Sequence, residues 1–175
     1  NKYLASTGLA SRRKCEEFVL SGRVEINGKV ETNLAFDVAE NMEVKVDGKI
    51  VRAPEKFTYL MMHKPKGYLT TVSDDRNRKT VMELLPAEFK HLMPVGRLDY
   101  NSEGLLLFTN DGDVAQKIMR PVRKVVKTYS VKVEGEVTEP HAREMQKGVE
   151  LIDGTKFKEC VVKIQEVKER KTKLE

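Results

Sequence analysis

Leu105-Leu106-Leu107-Phe108 is an unbroken run of four large apolar side chains, opened by Gly104 and followed by Thr109 and the turn signal Asn110-Asp111-Gly112. A run this short has strand length, not helix length. Apolar at every position, it reads as a strand buried on both faces. Such a strand needs neighbours on either side and cover above and below, which asks for a layered α+β core. The residues around it supply the parts. Thr58–Met62 and Tyr68–Val72 read as short strands, with Lys64-Pro65-Lys66-Gly67 as a basic turn between them. Thr80 is placed to cap a short helix ending at Pro86, and Asp113–Met119 reads as a helix. Lys127–Val133 alternates as a strand, with Lys127 and Tyr129 on one face because they are two residues apart. Thr138 caps a helix that has Pro140 in its first turn and ends at Gly148. Cys160–Val167 reads as the last strand, and the charged residues beyond it show no closing element.

The chain begins differently. Leu4, Ala5, Leu9 and Ala10 mark short helical turns broken by Gly8. Ser11 is positioned to cap a helix over Arg12–Leu20, with Cys15, Phe18 and Val19 facing a core. Val24 and Ile26, then Val44 and Val46, alternate as strands. Asn27-Gly28 and Asp47-Gly48 are hairpin signals. Two helices on a small sheet are expected over residues 1–52, then a linker Ala53-Pro54-Glu55-Lys56, then a second domain over 57–175.

Charge is informative only locally. The 175 residues carry 32 Lys+Arg against 27 Asp+Glu, a net +5 that permits nucleic-acid binding without requiring it. Between Asn1 and Arg23 the balance is +3, from Lys2, Arg12, Arg13, Lys14 and Arg23 against Glu16 and Glu17. That fits phosphate contact by a helical face, and equally an ordinary solvated helix. With no Trp and 6% aromatics, a broad base-stacking surface is not expected. Cys15 and Cys160 lack CxxC partners, and His63, His91 and His141 have no metal spacing, so free thiols and no metal are expected. No apolar run is long enough for a membrane-spanning helix. The basic, broken first twenty residues do not read as a signal peptide, and Asn1 in place of methionine implies an earlier start.

The chemistry-bearing stretch is Val95-Gly96-Arg97-Leu98-Asp99, before the polar turn Tyr100-Asn101-Ser102-Glu103-Gly104. Ionisable residues on a loop beside a stiff strand suit fixed catalytic geometry, although a plain surface turn with an Arg–Asp pair fits the same residues. No GxSxG, HExxH or glycine-rich phosphate loop is present. Asp74 and Asp75 are adjacent and so point apart, which does not suit paired-carboxylate chemistry.

Two families are matched by these motifs. Gly8-Leu9-Ala10-Ser11-Arg12-Arg13 and Gly22-Arg23-Val24 with Asn27-Gly28 resemble the S4 RNA-binding module. Gly96 to Gly112, GRLDYNSEGLLLFTNDG, resembles the signature of the RsuA/RluB-type bacterial pseudouridine synthases. His63–Gly67 (HKPKG) and Lys127–Tyr129 (KTY) fit it as well. The resemblance implies an S4-like module followed by a mixed, mainly antiparallel sheet domain of the pseudouridine synthase type. It implies cofactor-free isomerisation of a uridine in ribosomal RNA, by cleavage of C1′–N1 and rejoining through C5. Within it Asp99 is the catalytic aspartate, Arg97 and Gly96 shape its loop, and Tyr129 packs on the target base. Lys2, Ser11, Arg12, Arg13, Lys14, Arg23, Lys64, Lys66 and Lys127 are the expected RNA contacts.

The LLLFTNDG form resembles the large-subunit branch, and the resemblance implies a cytoplasmic, monomeric protein. Relatives continue with another strand and a basic EGxNRQxRRM-like segment, so a C-terminally shortened domain with residues 170–175 frayed or rearranged is expected. Arg120-Pro121 stands where many relatives have His-Pro. The competing expectation is a non-catalytic RNA-binding or ribosome-assembly factor, and a weaker one is a DNA-binding regulator.

Overall fold

The computed structural model describes residues 1–54, 56–120 and 125–175, so Glu55 of the expected linker and Pro121 of the Arg-Pro pair lie outside the described residues. The chain divides into two compact units, Asn1–Lys124 and Val125–Glu175.

The first unit opens with α1 (Lys2–Ser6) and α2 (Arg12–Leu20). They pack on a four-stranded antiparallel sheet of β1 (Val24–Ile26), β2 (Lys29–Val30), β3 (Val44–Val46) and β4 (Lys49–Ile50), in the order β2-β1-β3-β4. The expected caps and turns are formed. The Ser11 hydroxyl accepts from the Lys14 N–H. Asn27-Gly28 and Asp47-Gly48 both take positive φ at both residues, the conformation that lets a two-residue turn follow the strands' twist. In register, Val24 faces Val46 and Ile26 faces Val44. These four close on Leu4, Cys15 and Val19 to make the core.

The same unit continues with β5 (Tyr59–Lys64), β6 (Met93–Val95) and β7 (Gly104–Thr109) in an antiparallel sheet of order β5-β7-β6. Two short 3-10 turns, Val81–Leu84 and Ala87–Phe89, cover one face. Val81, Met82, Leu85 and Leu92 pack there against Leu106 and Phe108. Burying Leu106 and Phe108 contributes roughly 1.5–3 kcal/mol each. Leu105, on the opposite face, is 66% exposed. The run is therefore not buried on both faces, because only one side of the sheet is covered. Asp111 then caps α3 (Gly112–Met119), accepting from the N–H groups of Asp113 and Val114.

Tyr68–Val72 forms no strand, only a single bridge from Leu69 to Thr80. The chain leaves the turn at Gly67, whose φ of +83° suits glycine. Thr70 and Thr71 then spend their hydroxyls on the carbonyls of Leu98 and Ser73 in place of a ladder.

The second unit is a three-stranded antiparallel sheet of β8 (Val131–Glu134), β9 (Ile164–Lys168) and β10 (Lys171–Leu174), in the order β8-β10-β9, with α4 (Glu139–Gln146). Three expectations change here. Lys127 and Tyr129 precede β8 and lie in irregular chain, so no strand face is shared between them. The last expected strand starts at Ile164, leaving Cys160 outside it. Residues 171–174 are not frayed: they form the central strand, with Thr172 and Leu174 buried. Thr172 is fastened on both sides, its hydroxyl donating to the Gly135 carbonyl and accepting from the Val137 N–H. Charge at alternate positions hid the strand, because the inward residues are only Thr172 and Leu174.

Both cysteines are free, Cys15 buried and Cys160 exposed. Among the described residues no helix is long and apolar enough to cross a membrane.

Candidate active site

Asp99 lies on the loop between β6 and β7, at the end of the sheet where β5 also stops; Lys64, the last residue of β5, faces Gly104, the first of β7. Gly96, with φ of +83°, turns the chain out of β6. From there the backbone is tied down on both sides of Asp99. The Thr70 hydroxyl accepts from the Leu98 N–H at 3.2 Å and donates to the Leu98 carbonyl at 2.7 Å. The Ser102 N–H donates to the Asp99 carbonyl at 3.0 Å, closing a turn. The Gly67 N–H donates to the Tyr100 carbonyl at 2.8 Å.

Lys64 holds the centre. It has no exposed surface. Its ammonium donates to the carbonyls of Asp99 at 3.0 Å, Ser102 at 2.7 Å and Pro65 at 3.1 Å. Three acceptors match three N–H donors. Burial pushes its pKa below the ordinary lysine value, and the Asp99 charge partly offsets that. Lys64 therefore does not reach RNA as expected; it is a buried anchor for the loop. The signal was in the sequence. With a period of two, Leu60, Met62 and Lys64 share the inward face of β5.

The Asp99 side chain itself is exposed, and among the described residues no hydrogen bond or ion pair reaches its carboxylate. Arg97 is exposed and makes no ion pair with it among those residues, so the Arg–Asp turn is not formed. A carboxylate on a fixed backbone, open to one side, can meet a bound sugar as nucleophile or base. Lys66 is exposed two residues beyond the anchor.

Beside this loop, Asp74 accepts from the Arg78 guanidinium at 2.7 Å and from the N–H groups of Arg76 and Arg78. Chiefly the guanidinium, then these backbone donors, pull its carboxyl down to a pKa of about 2. This brace and Thr70 were missed by sequence reasoning. Hydroxyl-to-backbone bonds across loops leave no periodic trace.

The N-terminal helical face carries the expected cations, most of them paired. Lys2 meets Asp113 at 2.8 Å, Arg12 meets Glu16 at 3.9 Å, Lys14 meets Glu17 at 2.6 Å and Arg23 meets Asp47. Arg13 makes no ion pair among the described residues and is exposed. Arg23 and Lys14 also stack over Phe18, at 4.3 and 5.8 Å. Exposed pairs like these are worth about 0–1 kcal/mol, so a phosphate can displace the carboxylates at little cost. Lys127 and Tyr129 belong to the second unit and are both exposed. No cluster of His, Cys, Asp and Glu suited to a metal occurs among the described residues.

The sequence profile of RNA pseudouridylate synthases matches residues 58–175, and that of the S4 domain matches residues 1–44. An uncharacterized RNA pseudouridine synthase of Aquifex aeolicus is 44% identical over 156 residues, covering 88% of this chain and 62% of that protein. The ribosomal large subunit pseudouridine synthase B of Bacillus subtilis is 39% identical over 153 residues, covering 87% and 62%. Its namesake in Haemophilus influenzae is 42% identical over 165 residues, covering 90% and 46%. A crystal structure of a pseudouridylate synthase superposes with a TM-score of 0.61 at 22% identity, over 98% of this chain and 73% of that one, which shows the shared fold. The chain thus spans about three fifths of the length of the first two of these curated relatives. It belongs to the RNA pseudouridylate synthase family, with an S4 domain at its N-terminus.

Proposed function

We propose that the protein isomerises a uridine of ribosomal RNA to pseudouridine, with Asp99 initiating the reaction. The observation that carries this is the Asp99 loop: an exposed carboxylate on a backbone fastened by Lys64, Thr70 and Gly67. The carboxylate attacks C1′ of the uridine or removes a proton at C2′. Either way the C1′–N1 bond breaks and the detached base turns; C5 then bonds to C1′, displacing the carboxylate from C1′ in the first case, while in the second the carboxylate gives the proton back to C2′. The C5 proton leaves to solvent, N1 takes up a proton, and the net change is isomerisation without a cofactor. Tyr129 is assigned as the flat surface for the extruded base, and Arg97, exposed two residues before Asp99, is assigned to contact the bound RNA beside it.

The large ribosomal subunit is the proposed source of the RNA. The names of the Bacillus and Haemophilus relatives support that choice. The same reading has the protein act in the cytoplasm as a monomer. It divides the chain into a module over 1–52, a linker over 53–56 and a synthase domain over 57–175. Limited proteolysis that cuts β5 before that linker would argue against the division.

The test is Asp99→Asn, read by tritium release from C5-labelled uridine in ribosomal RNA. Turnover should vanish while RNA affinity stays within a few-fold, because phosphate contacts dominate affinity. Near-normal release would overturn the Asp99 assignment, whereas no release by the unmutated protein would return the chain to the alternative of a non-catalytic RNA-binding factor.

A further inference from the structure

The second unit carries a charged sheet face that neither the sequence motifs nor the matched families assign to a task. Residues paired across antiparallel strands share a face. One face of β8-β10-β9 therefore presents Lys132, Lys173 and Glu166 in one row and Glu134, Lys171 and Lys168 in the next. All six are exposed. The opposite face holds the buried Thr172 and Leu174. The charged face borders a groove of about 520 Å³, which the turn residues Glu169 and Arg170 also line.

Two features of this face work against folding. Lys173 stands directly opposite Lys132, and Lys171 directly opposite Lys168. Like charges facing each other across strands are destabilising, here partly offset because Lys173 also faces Glu166, Lys171 also faces Glu134, and Lys168 pairs with Glu166 at 2.6 Å. The turn that aims Arg170 places Glu169 at a φ of +41°, a region that side chains other than Asn and Asp seldom adopt. Local rules broken together, with no packing gain, mark sites kept for binding. Glu166 sits among Lys132, Lys168 and Lys173, and their charges, the Lys168 hydrogen bond first, hold its pKa below the ordinary glutamate value. The lysines on this face outnumber the glutamates by four to two.

We infer that this face binds the phosphodiester backbone of the RNA substrate, as a contact additional to any made by the N-terminal module. The inference rests on the RNA-modifying role proposed above. Among the described residues no aromatic or apolar side chain lines the groove. That disfavours base stacking and the apolar core of a protein interface. It leaves a cationic surface suited to phosphate and indifferent to sequence. Lysines two apart on a strand stand ~7 Å from each other, a step close to that between successive phosphates of an extended strand.

The test uses the 175-residue chain with two unrelated RNA hairpins of equal length as probes. Lys132→Gln with Lys173→Gln should weaken binding of both hairpins about equally, by about tenfold at low salt. It should flatten the salt dependence by ~0.7–0.9 for each phosphate that is no longer neutralised. The change relieves a like-charge pair but also removes two cations beside Glu166, so the thermal midpoint should stay close to that of the parent. Glu134→Gln with Glu166→Gln should act in the opposite direction and tighten binding of both. Unchanged affinity and salt slope in both double variants overturn the inference, as does a weakening confined to one hairpin. Tritium release by the same variants at saturating RNA separates the two readings. Normal release with unchanged affinity removes this surface and leaves the isomerase reading intact.

Discussion

Replacing Lys64 with methionine removes a buried charge while nearly keeping length and volume. Three carbonyls, those of Pro65, Asp99 and Ser102, lose their donor. A buried acceptor left unpaired costs about 1–3 kcal/mol, although the two on the outer loop regain part of this from water. Set against that, the desolvation that lowers the Lys64 pKa disappears with the charge. The net destabilisation should be about 2–4 kcal/mol, concentrated where the loop meets the sheet. Lys64 is at the end of β5, away from the Val81–Phe108 packing, so the domain should still fold with a lower thermal midpoint. The loop, freed at its centre, should let the Asp99 carboxylate wander by an ångström or more. Misplacement on that scale costs about a hundredfold in rate. Single-turnover tritium release should therefore fall about 10²-fold while RNA affinity stays within a few-fold. Lys64→Arg should not rescue it, because a planar fork cannot converge on three carbonyls. Turnover within about threefold of the parent in a folded Lys64→Met protein would refute the anchoring role.

Arg12→Ala with Arg13→Ala should weaken RNA binding and lower the salt slope by ~0.7–0.9 for each phosphate left without its cation, and the protein should stay folded, since both side chains are exposed; filter binding across a salt series reads this. The Asp74 carboxyl, pulled down to about 2 in the folded protein against an ordinary 3.8, should stabilise its loop fully above 3.8 and lose that contribution as pH falls through about 2. Carbon-detected NMR should follow the titration, and Arg78→Gln should move it back towards 3.8.

The fold was legible where local chemistry decides it. Asn27-Gly28 and Asp47-Gly48 turned as read because a two-residue turn admits few residue types. Ser11 and Thr138 marked helix starts for a similar reason. Reading failed where tertiary context decides. Leu105 looks as apolar as Leu106, and only the placement of the 3-10 turns on one side exposes it. Lys171-Thr172-Lys173-Leu174 looks like a solvated tail until β8 and β9 flank it and bury every second residue. Within the site, Asp99 stood out because ionisable residues precede the apolar run 105–108 and because Gly96–Gly112 resembles a synthase signature. Its supports did not, since carbonyls accept from Lys64 whatever side chains they belong to.

That last asymmetry bears on how such a site tolerates change. The Asp99 loop is held almost wholly through its own backbone atoms: the carbonyls of Leu98, Asp99, Tyr100 and Ser102 and the N–H groups of Leu98 and Ser102. Side chains at Arg97, Asn101 and Glu103 carry none of the anchoring among the described residues and are exposed. They can therefore be exchanged to suit a particular RNA without moving the carboxylate. Lys64 and Thr70 cannot, because each supplies a donor or an acceptor that no neighbour replaces, and Gly67 cannot, because it turns the chain at a φ of +83°. Under the proposed function, the carboxylate is thus placed by residues away from the RNA, and selectivity falls to exposed positions on the same loop.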